Sequence, residues 1–120
     1  GASAYFFGSV VGYATHVIID ILKVPEELIK KNSVVSAEVA RAMAINIREL
    51  LKSDFAVATT GNAGPLKGDS DAPIGTVYIA IATPNDVLVE KFTMGNHRTR
   101  IVQKAVQKAF QMLQKEILKF

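Results

Sequence analysis

The stretch Ala4 to Ala14, AYFFGSVVGYA, limits the fold more than any other part of the chain. It is aromatic and β-branched, uncharged, and interrupted by Gly8 and Gly12. That composition reads as a strand covered on both faces or nearly so. Such a strand needs apolar layers above and below it, and the remaining sequence has to supply them.

Two segments have the pattern to do so. Ser36 is a favoured N-cap, and Val39, Met43, Ile47, Leu50 and Leu51 recur at helical spacing behind it. Ala40, Ala42 and Ala44 permit close packing, while Arg41, Arg48, Glu49 and Lys52 take the wet side. A long amphipathic helix is expected from Asn96 to Phe120, with Ile101, Ala105, Val106, Ala109, Met112, Leu113 and Ile117 as its core stripe and Lys104, Lys108, Gln111 and Lys115 elsewhere. A shorter helix is expected from Pro25, with proline at its first position and Glu26 and Glu27 in its first turn, ending near Asn32. The preceding run, His16 to Val24, is apolar and short enough to be helix or strand.

Three further strands are expected. Asp54 to Thr59 is one, Gly75 to Thr83 (GTVYIAIAT) the second, and Val87 to Thr93 the third, joined to the second by a Pro84-Asn85-Asp86 turn as a hairpin. Residues Gly61 to Pro73 read as a loop. The order strand, short helix, helix, strand, loop, strand, strand, helix suggests a layered α/β sandwich with a mixed sheet in one domain, 1–120.

Composition narrows the function classes. The chain has 120 residues and a net charge of +3, mildly basic but without the dense stripe of a nucleic-acid binder. It has no cysteine, which removes disulfides and thiol chemistry and fits a cytoplasmic location. No apolar run approaches the roughly 20 residues of a membrane span, so no membrane partner is expected. The histidines, His16 and His97, lie far apart with no HxH or HxxxH spacing, and neither a metal nor a cofactor is expected.

Three places are candidates for chemistry. The first is AVATTGNAGP, Ala56 to Pro65, an apolar run ending in Thr59, Thr60 and a glycine-rich loop. Loops at the carboxyl ends of strands hold ligands in open α/β sheets, and glycines let backbone N–H groups approach an anion or a polarised carbonyl. The same glycines also serve a tight connection that needs positive φ. The second is GYATH, where Tyr13 and His16 face a pocket or end a strand. The third is MGNHRTR, Met94 to Arg100, where Arg98 and Arg100 at a helix start suit an anion, or where Asn96 caps a solvated helix.

These segments, GASAYFFGSVVGYATHVI, VPEELI, SVVSAEVARAMA, DFAVATTGNAGP, PIGTVYIAIA and GNHRTR, together resemble the CinA C-terminal domain family, in order and along essentially the whole chain. That domain also occurs alone as the nicotinamide-nucleotide amidohydrolase. The resemblance implies a three-layer α/β/α sandwich, a homo-oligomer and no metal. It also implies hydrolysis of the carboxamide of nicotinamide mononucleotide to nicotinic acid mononucleotide and ammonia. It places Tyr13 on the family's catalytic tyrosine. Thr60, Gly61, Ala63, Gly64 and Pro65 fall on the substrate loop, with Asn62 where isoleucine is common, and Arg98 on the arginine opening the last helix. The family's catalytic lysine falls on Ile18. Its nucleophilic serine belongs to a Glu-Ser-x-Thr-Gly-Gly segment, which this sequence does not contain. That segment, with a strand and at least one helix, is expected ahead of Gly1; its lack would expose a sheet edge or apolar surface, so that either another chain covers it or this sequence is part of a longer one.

Overall fold

The computed structural model describes residues 7–11, 23–62, 74–95 and 98–119. Strand β1 (Phe7–Val11) is the centre of the opening stretch, and the remainder of that stretch, with residues 16–22, lies outside the described residues. Helix α1 (Glu26–Asn32) and helix α2 (Ala37–Leu51) follow, then β2 (Phe55–Gly61), β3 (Thr76–Ala82), β4 (Val87–Thr93) and helix α3 (Arg98–Ile117). The strands form one mixed sheet in the order β1-β2-β3-β4. β1 runs parallel to β2, and the β2–β3 and β3–β4 pairs are antiparallel.

The sheet sorts its side chains by size. On one face the β2–β3 pair carries Ala56, Ala58, Ala80 and Ala82, with Ala56 opposite Ala82 and Ala58 opposite Ala80. Val39, Met43 and Ile47 of α2 are buried on this floor together with Ala40 and Ala44. Alanines on both surfaces let helix and sheet approach closely, and the few large side chains fill the space between them. Leu28 and Ile29 of α1 pack against the same cluster. On the other face Phe55, Val57, Val77, Ile79 and Ile81 form a surface of large side chains, and α3 covers it with Ile101, Ala109 and Leu113. Helices on both faces of a mixed sheet make the three-layer α/β/α sandwich.

Local chemistry fixes the boundaries. Ser36 caps α2 as expected, its Oγ accepting from the Val39 N–H at 3.3 Å. Pro25 stands one residue earlier than expected, at the cap position of α1, because Glu26 opens the helix. The β3–β4 turn is held by Thr83, whose Oγ1 accepts from the backbone N–H groups of Asn85 and Asp86 at 3.2 and 3.0 Å.

Two parts of the expected helix faces are not core. Leu50 is 58% exposed and Leu51 is also exposed, because the buried cluster of α2 ends at Ile47 and the next turn stands clear of it. In α3, Val106 is 44% exposed. It lies with Phe110, 60% exposed, outside the strip of the helix that meets the sheet. Helical periodicity marks an apolar face but does not say where the opposing sheet stops.

One backbone approach joins the strand ends. Gly75 has φ +94°, and a Cβ built on it falls 1.9 Å from the carbonyl oxygen of Gly95. Gly95 also has positive φ (+79°), but a Cβ there meets nothing within 4 Å. Gly75→Ala is expected to destabilise the fold by about 3–5 kcal/mol, combining strain with displaced backbone. Gly95→Ala is expected to cost only the conformational part, about 1–2 kcal/mol. Urea unfolding of the two variants, read as midpoint shifts at constant slope, checks the difference.

Candidate functional site

Five segments meet at one end of the sheet. β1 and β2 point their carboxyl ends there, since they are parallel and Val11 pairs with Thr59. β3 begins there, β4 ends there, and α3 starts four residues after Met94, the last bonded residue of that corner. This is where open α/β sheets hold ligands.

Backbone hydrogen bonds lock the corner. The β2–β3 ladder continues past Gly61, with Asn62 N–H donating to Thr76 O at 2.9 Å and Gly75 N–H donating to Asn62 O at 2.6 Å. Met94 N–H then donates to Gly75 O at 2.8 Å, so Gly75 is bonded to both neighbours. The positive end of α3 opens beside this corner, and its first turn holds no acidic residue to neutralise it.

Thr60 and Gly61, expected at the end of a strand and the start of a loop, are the last two residues of β2, paired with Tyr78 and Val77. Thr60 is 2% exposed, and its Oγ1 donates to the carbonyl of Val34 at 2.8 Å. That bond ties the end of β2 to the turn that enters α2. The turn is itself braced, since Ser36 Oγ donates to Ser33 O at 2.8 Å, and Ser33 carries a positive φ of 74°. At Gly61 an added Cβ would lie 2.9 Å from Val77 Cγ2 and 3.0 Å from Thr76 O, so a side chain would push the two strands apart. Asn62 is a buried amide at 7% exposure, directly after the strand.

The sheet end thus gathers Thr60, Gly61, Asn62 and the start of the helix opened by Arg98. Tyr13, Ile18, His16, Ala63, Gly64, Pro65, Asn96 and His97 lie outside the described residues. Among the described residues no group of three or more His, Cys, Asp or Glu is placed to hold a metal ion, and no helix is long and apolar enough to cross a membrane. Sequence reasoning missed the roles of Val34 as the acceptor for Thr60 and of Gly95 as the neighbour of Gly75. The signal for the second was available, in two glycines standing just outside adjacent strand ends.

Thr60→Val keeps the shape and removes the donor, leaving the half-buried Val34 carbonyl without this partner. It is expected to cost about 1–3 kcal/mol in urea unfolding. Thr60→Ser, which keeps the hydroxyl, should recover most of that loss.

A profile of the CinA C-terminal domain matches residues 1–117. A CinA-like protein of Flavobacterium psychrophilum is 50% identical over 119 residues, covering 99% of this chain and 28% of that protein. A CinA-like protein of Prochlorococcus marinus subsp. pastoris is 46% identical over 102 residues, covering 84% of this chain and 24% of the other. The chain therefore spans about a quarter of the length of these curated relatives. Among solved structures, the competence or damage-inducible protein of Enterobacter asburiae superposes with a TM-score of 0.81 at 27% identity, over 87% of this chain and 65% of that one. The competence/damage inducible protein CihA of Agrobacterium tumefaciens does so with a TM-score of 0.79 at 34% identity, over 85% and 63%.

Proposed function

The chain belongs to the CinA C-terminal domain family, and from that premise we propose that it serves the hydrolysis of the carboxamide of nicotinamide mononucleotide, with nicotinic acid mononucleotide and ammonia as products. The observation that supports this reading most is the convergence of the β2 end, Gly75 and the α3 start at one corner. That corner carries Thr60 and Gly61, two of the residues on which the family resemblance puts the substrate loop.

Its chemistry suits one half of the reaction. The Asn62–Gly75–Met94 bonds use the N–H groups of these three residues to fix the backbone of the corner, a rigid edge against which a carboxamide can be oriented. The unneutralised start of α3, opened by Arg98, favours the anionic phosphate of the nucleotide. The other half requires an activated nucleophile. The resemblance puts the family's base on Ile18, which accepts no proton, and its serine in a segment this sequence does not contain. Ile18 therefore favours a second reading, a relative that binds the nucleotide without turning it over.

Ammonia release and calorimetry with nicotinamide mononucleotide separate the two. The amidohydrolase reading expects saturable release by the whole protein that carries this chain. The binding-only reading expects heat of binding without release, and at least about a hundredfold gain in release in Ile18→Lys, the scale of a restored general base. No heat at millimolar nucleotide and no release from either protein would sink both readings.

A further inference from the structure

A second feature lies down α3 from this corner. Lys104, Gln107, Lys108 and Gln111 recur at i, i+3, i+4 and i+7 and form one stripe of the helix. Opposite them stand Phe92, Thr93 and Met94 at the end of edge strand β4. Together they line a cleft of about 280 Å³. Its wall is chemically one-sided, with two ammonium groups, two amides, a hydroxyl and an aromatic ring, and no carboxylate among the lining residues.

Neither cation is in an ion pair among the described residues, where the pairs are Lys30–Glu26 and Lys119–Glu116. Glu90 is on the same face of β4 as Phe92, but it is exposed and does not line the cleft. Lys108 is placed by the fold, since its Nζ lies 5.3 Å from the centroid of the Phe92 ring, within cation–π range. That contact holds one ammonium over the cleft instead of letting it extend into water. Lys104, one turn earlier, brings a second positive charge on the same stripe, with Cβ atoms about 5–6 Å apart at this spacing.

We infer that this cleft is a binding site for a small phosphorylated organic molecule, its phosphate between Lys104 and Lys108 and its flat or apolar part against Phe92 and Met94. A phosphate supplies acceptors on every side and matches a wall whose charged groups are donors only. Gln107 and Gln111 have both donors and acceptors and suit hydroxyl or amide groups on the body of the ligand. The cleft is at the small end of ligand sites, which limits the occupant to about one ring and one phosphate. Lys104 and Lys108 lie about 9 and 15 Å along the helix axis from Arg98, at 1.5 Å per residue. The site therefore meets the sheet-end corner at Met94 but keeps its ammonium groups away from it, and it does not depend on amide hydrolysis there.

The test is an NMR titration of the ¹⁵N-labelled protein with phenyl phosphate, and in parallel with inorganic phosphate. Saturable shifts centred on residues 92–94 and 104–111, stronger with phenyl phosphate and at least about tenfold weaker in Lys104→Gln/Lys108→Gln, are the expected result. Lys104→Gln alone, at an exposed residue, repeats the comparison should the double variant melt early. Shifts that fail to saturate, that centre elsewhere, or that persist unchanged in the lysine variants would overturn the assignment. So would equal affinity for the two probes, which removes the role of Phe92.

Discussion

The antiparallel pairing of β2 with β3 is the constraint on which the other layers depend. Its register puts alanine opposite alanine on one face and Val57 opposite Ile81 on the other. A slip of β2 by one residue would exchange its faces, sending Phe55 and Val57 into the space α2 occupies. It would also leave α3 facing alanines, with voids where its side chains now interdigitate. The two helical layers are therefore not interchangeable, because each fits only the face it covers. The same pairing, continued to Asn62 and Gly75, sets the geometry of the sheet end.

Site and scaffold share their atoms at that end. Thr60 and Gly61 read as ligand-loop residues when the sequence is considered alone. In the structure they also close the sheet, one through a hydrogen bond to the approach of α2 and the other through an absent side chain that lets Val77 come near. A family pattern of small residues at this point has a packing reason in addition to a chemical one. Substitutions at these two positions will change stability unless they are matched in shape.

Much of the architecture was legible from the residues. Ser36, the Pro84–Asp86 turn and the apolar runs of β3 and β4 carry strong local signals, and the elements fall where those signals put them. The ends of the apolar stripes were not legible. Leu50 and Val106 keep the helical period, yet whether such a residue is buried depends on how far the opposite layer extends. β2 also runs to Gly61, beyond the expected Thr59, because a partner strand supplies the bonds that glycine does not favour by itself. The cleft beside β4 was equally hidden. In the sequence Lys104 and Lys108 are only residues off the core stripe, and the placement of Phe92 across from them gives that side of the helix a wall.

The bond from Thr60 to Val34 has a consequence for how the sheet end and the helix are coupled. Its partners are 26 residues apart, and between them lie the whole of α2 and most of β2. Closing so long a segment costs chain entropy that no local contact returns. The bond therefore fastens the end of the sheet to the entry of α2, and any shift in how that helix sits on the alanine floor reaches Thr60 through it.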